Sequence, residues 1–81
     1  MHLSNTFRGK CVAAVGSMTA AIKTQRALAL HGIEGEVVAL DPHQTRRGCA
    51  YGVEFYADVE RAVRNVLREA GISVSQYIHE E

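Results

Sequence analysis

The chain has 81 residues, 47% of them hydrophobic and 22% charged, which suits one small two-layer domain, excludes two, and leaves no compositional case for disorder or a fibre. Nine Lys and Arg balance nine Asp and Glu, so there is no global basic field to gather nucleic acid or coat an anionic membrane. Apolar runs are broken every few residues, far short of the roughly 20 that span a bilayer.

Residues 1–9 read as a polar lead-in without order, ahead of a single domain over 10–81. The lead-in has no apolar run of the kind a secretory signal needs, so a cytoplasmic address is expected. Cys11–Val15 is a short run of small and β-branched residues bounded by glycines, the composition of a strand. Ser17 or Thr19 then offers an N-cap oxygen, and Ala20–His31 is an Ala- and Leu-rich helix closed by Gly32. Its buried stripe is either Ala20-Thr24-Ala27-Leu28-His31 or Ala21-Gln25-Leu28-Gly32. Glu36–Leu40 returns to extended composition and stops at Asp41-Pro42, because proline cannot donate to a continuing ladder.

In the segment Tyr51–Tyr56, Tyr51, Val53 and Phe55 alternate with Gly52 and Glu54, the period of a strand with one buried face. Asp58 should cap the next helix, whose apolar stripe is Val59, Ala62, Val63, Val66, Leu67 and Ala70. Arg61, Arg64 and Arg68 fall off that stripe and read as a solvated outer face. Ser73–His79 makes a last, weaker strand. The two helices end alike, in Gly32-Ile33 and Gly71-Ile72, as if each glycine took the left-handed position and each isoleucine packed back. Two βαβ halves with right-handed crossovers then give a ferredoxin-like α+β fold. It is a βαββαβ chain whose four-stranded antiparallel sheet has its third strand between the first and second and both helices on one face.

The connection between the second and third strands is longer than the two to five residues usual for a hairpin. It holds the only proline, His43, Arg46, Arg47, Gly48 and Cys49. Extra loop without packing value points to function. Antiparallel pairing should bring Cys49 beside Gly16-Ser17-Met18-Thr19, where the first helix starts; that N-terminus, together with Arg46 and Arg47, favours thiolate over thiol. The other reading of Cys49 is an inert, half-buried side chain at the top of a strand. Cys11 begins the first strand, which at roughly 3.3 Å per residue places it about 20 Å from the far end of the sheet. A disulfide needs Cα atoms within about 7 Å, so Cys11 reads as a core residue and no dithiol chemistry is expected.

His43 reads as a solvated loop residue or as an acid–base partner of Cys49, and Ser17 as a helix cap first and a ligand contact second. Arg46 and Arg47 belong to a solvated turn unless the loop closes over an anion. The cysteines form no CxxC pair, so neither a disulfide framework nor a closed zinc site is expected, and no metal or cofactor is assigned. The stretch Arg47-Gly48-Cys49-Ala50-Tyr51 is similar to the start of the RNA-recognition-motif signature. The likeness fails where Cys49 and Glu54 stand in place of stacking aromatics.

The succession of the Gly16-Ser17 turn, Ala21-Ile22-Lys23, Gly32-Ile33, Pro42 six residues before Gly48-Cys49, and the Val53/Phe55 strand resembles the selenium/sulfur carrier-like family over about Lys10–Tyr77. The chain departs from that pattern at Ala50, where a glycine is expected, and at the Arg46-Arg47 pair, where small hydroxyl residues are common. The resemblance implies a short bacterial protein that holds sulfur or selenium on Cys49 as a persulfide-type adduct. It also implies a donor such as a cysteine desulfurase and an acceptor enzyme; on the reading of the loop itself, Arg46, Arg47, Gly48, Ser17 and His43 would lie around the adduct. The alternative is a non-catalytic module whose uncovered sheet face pairs with another copy, a homo-oligomer, or with a larger enzyme.

Overall fold

A computed structural model describes residues 9–41, 43, 45 and 48–80. Arg46, Arg47 and nearly all of the N-terminal lead-in lie outside them. The elements are β1 (Lys10–Ala14), α1 (Met18–Leu30), β2 (Glu36–Ala39), β3 (Tyr51–Tyr56), α2 (Glu60–Glu69) and β4 (Gln76–Glu80). The strands form one antiparallel sheet in the order β2-β3-β1-β4. This is the ferredoxin-like arrangement, with β3 between β1 and β2. No helix among the described residues is long and apolar enough to cross a membrane.

Alternation along the strands divides the sheet into two faces. Cys11, Ala13, Val53 and Phe55 pack with Ala21 and Leu28 of α1 and Val63, Val66 and Leu67 of α2 as the core between sheet and helices. In α1 the buried residues are Ala21, Thr24 and Leu28, a blend of the two stripes the sequence allowed. Thr24 is tolerated there because its Oγ1 donates to Ala20 O at 2.7 Å, so no hydroxyl is stranded in the core. The alternate residues Val12 and Ala14 point to the other face, yet they are 1% and 0% exposed. The expected bare face is therefore covered at Val12 and Ala14, with Val12 and Leu40 side chains beside Gly52.

Both helices end in the same hydrogen-bonded motif. Ile33 N donates to Leu28 O and Gly32 N to Ala29 O; Ile72 N donates to Leu67 O and Gly71 N to Arg68 O. These are Schellman closures, which need a left-handed residue at the penultimate position, and Gly32 and Gly71 have φ of 73° and 72°. At the other end of α1, Ser17 is the cap: its Oγ accepts from Ala20 N at 3.0 Å. Ser17→Ala should lower the free energy of unfolding by about 1 kcal/mol, read as a shifted urea midpoint at unchanged slope. A midpoint equal to that of the parent chain would contradict the cap.

Several boundaries differ from the sequence expectations. A single 3₁₀ turn over Ala57–Val59 precedes α2, so Asp58 lies inside that turn and α2 starts at Glu60 without a side-chain cap. β1 stops at Ala14 because Val15 N and Gly16 N both turn onto Tyr51 O, at 3.1 and 3.3 Å. β4 is correspondingly short at its start: the ladder ends at Ala14 opposite Gln76, leaving Ser73 to Ser75 as an approach to the strand. Arg64 is not simply solvated. It pairs with Glu60 at 2.7 Å and lies over the Tyr77 ring at 4.0 Å, tying α2 to β4.

Candidate functional site

The order β3-β1-β4 places the incoming ends of β3 and β4 on either side of the outgoing end of β1. Since β1 leaves the sheet after Ala14, Cys49, just before β3, and Ser75, just before β4, meet across the row it vacates. Cys49 Sγ lies 3.0 Å from Ser75 Oγ. Ser75 is anchored twice on Ala14 O, through its N–H at 2.9 Å and its hydroxyl at 3.1 Å. Cys49 is 7% exposed and stands apart from the helix-side core.

The turn that delivers Cys49 is built from its own residues. Thr45 Oγ1 donates to Cys49 O at 3.3 Å and Gly48 N donates to Thr45 O at 3.4 Å. Gly48 has φ of 65°, and a Cβ there would meet nothing within 4 Å, so conformation rather than crowding selects glycine. His43 is exposed, and its N–H closes a small turn on Asp41 Oδ1 at 3.0 Å. Ser17 Oγ is committed to the α1 cap.

The sulfur and its neighbour hydroxyl can share protons in two ways. Ser75 has one hydroxyl hydrogen. While it points at Ala14 O, the Cys49 thiol donates to Ser75 Oγ. When Cys49 loses its proton, the hydroxyl can swing onto the sulfur anion, and Ala14 O keeps the Ser75 N–H. Deprotonation thus strands neither carbonyl nor sulfur, and a hydrogen bond to a charged acceptor is worth about 1.5–3 kcal/mol. Ser75 and Thr45 were not singled out by the sequence.

Cys11 is chemically opposite. It is fully buried at the other end of β1, between Phe55 and His79 in the sheet. Burial, reinforced by the charge of Glu60, pushes its thiol up to about 11. Both cysteines are free. That separation along β1 fits the expectation that they do not pair.

The sequence model of the family described as "Putative Se/S carrier protein-like" matches residues 10–79. The chain belongs to this family. The match runs from the start of β1 into β4 and includes the Cys49 turn and Ser75. No curated protein and no solved structure gives a significant match to the chain.

Proposed function

We propose that this member of the selenium/sulfur carrier-like family carries its cargo on Cys49. The observation behind the reading is the Cys49–Ser75–Ala14 chain, which supports the sulfur in both protonation states. Cys49 thiolate attacks the outer sulfur of a persulfide on a donor such as a cysteine desulfurase. The donor S–S bond breaks, a new S–S bond forms on Cys49, and the donor cysteine leaves as thiolate, with no net oxidation. Transfer to an acceptor enzyme repeats the exchange in the other direction. Selenium takes the same path as an S–Se bond.

A carrier must release its sulfur from cover when a partner docks. Thr45, Gly48 and Cys49 lie outside the strand ladders, so uncovering Cys49 leaves the sheet pairing intact. Gly48 gives the backbone room to bend toward a partner, and the Arg46-Arg47 pair supplies positive charge for an anionic adduct. The rim of this turn, including His43, is where donor and acceptor would dock.

Incubation with a desulfurase and cysteine should add about 32 Da, or about 79 Da with a selenium donor, removable by a thiol reductant. Cys49→Ala should take up none, whereas Cys11→Ala should load as the parent chain does. Equal loading of Cys49→Ala would overturn the assignment. Partner binding that survives alkylation of Cys49 in a chain that never loads would favour the non-catalytic module.

A further inference from the structure

The end of the sheet remote from Cys49 carries a second group of reactive side chains that the carrier reading does not use. Cys11 of β1 and His79 of β4 are lateral neighbours in the ladder, and Glu60, the first residue of α2, comes down onto them. Cys11 Sγ, a Glu60 carboxylate oxygen and a His79 ring nitrogen all lie within 4.8 Å of one another. Three donor types from three separate elements converge on one point. We propose that Cys11 Sγ, Glu60 Oε1 and His79 Nε2 bind one zinc ion, with water in the fourth position.

Several features of the surroundings suit that role. Tetrahedral zinc with bonds of about 2.0–2.3 Å holds its donor atoms roughly 3.3–3.6 Å apart, close to the present spread of at most 4.8 Å. His79 Nε2 already faces Glu60 Oε1 at 2.8 Å. The other carboxylate oxygen, Oε2, is held by Arg64 at 2.7 and 2.8 Å, which fixes the carboxylate and leaves Oε1 for the ion. The Glu60 and His79 side chains are 21% and 57% exposed and form the outer wall, while Cys11 closes the floor. A thiolate, an imidazole and a carboxylate with one open position form a donor set suited to zinc.

On binding, the Cys11 S–H bond breaks and its proton goes to solvent as the Zn–S bond forms. His79 binds as neutral imidazole, the Glu60–His79 hydrogen bond is exchanged for two metal bonds, and no electron is transferred. The ion would cross-link β1, α2 and β4.

Titration of the chelator-treated full chain with Co(II) should produce one equivalent of a thiolate-to-cobalt charge-transfer band in the near ultraviolet, bleached by Zn(II). Cys49→Ala should keep the band and Cys11→Ala should lose it. His79→Gln, at a side chain 57% exposed, should weaken Zn(II) affinity by at least about tenfold in a chelator competition. A band lost in Cys49→Ala or kept in Cys11→Ala, or equal affinity in His79→Gln, would overturn the site. Because Cys49 loading is read separately by mass, failure here leaves the carrier proposal standing, and the reverse.

Discussion

Gly52→Ala should destabilise the protein by about 3 kcal/mol, the largest loss expected from adding a single methyl group. Gly52 is the second residue of β3, paired with Ala14 on one side and Val38 on the other. A Cβ there would come within 2.7 Å of both Ala13 O and Val12 Cγ1, and within 3.2 Å of Leu40 Cδ1. The Leu40 methyl can move. Ala13 O cannot, because it belongs to the backbone of a central strand paired on both sides. A domain of this size is stable by only several kcal/mol, so the loss should appear as a large fall in urea midpoint. Leu30→Ala, at a residue 86% exposed, is the control, expected within about 0.5 kcal/mol of the parent. A Gly52→Ala midpoint close to that of Leu30→Ala would disprove the close approach of β1 and β3 at this point.

Ser75→Ala should slow alkylation of Cys49 at neutral pH by roughly tenfold, about the difference between a hydrogen bond to the sulfur anion and one from the thiol. The variant should still fold, because the backbone bond from residue 75 to Ala14 O, at 2.9 Å, does not depend on the hydroxyl. Ser75→Thr retains a hydroxyl and should restore most of the rate. This pattern separates a positioning role from simple packing. Peptide mapping assigns the alkylated cysteine, and Cys11, 0% exposed, should stay unmodified. An unchanged rate in Ser75→Ala, or a Ser75→Thr rate no better than that of Ser75→Ala, would remove Ser75 from the mechanism. Carrier loading by a desulfurase should follow the same order, since the attacking species is the same sulfur anion.

Together the two substitutions probe one end of β1 from different sides. Gly52 lets β3 lie close enough to β1 for the ladder to run up to Ala14, and the departure of β1 after Ala14 lets Cys49 reach Ser75. The zinc proposal uses the opposite end of the same strand, where the ladder continues through Cys11 to Lys10 and keeps His79 beside Cys11.

What the sequence by itself determined is whatever local chemistry dictates. A hydroxyl cap at the start of α1, the paired Gly-Ile helix ends and the strand over Tyr51 to Tyr56 depend on residues within a few positions of one another; the structure takes Ser17 as the cap, closes both helices as expected and forms the strand, but buries Gly52 as well as Val53 and Phe55. The ferredoxin-like order followed from these elements and from the handedness of their connections. Cys49 was proposed from a local signal, a lone cysteine in an overlong loop. Only the tertiary structure decided its partner. Ser75 lies 26 residues away, and the meeting depends on which strands flank β1 and on the residue at which β1 ends. The grouping of Cys11, Glu60 and His79 is likewise a product of register, since shifting β4 by one residue would turn His79 to the other face of the sheet.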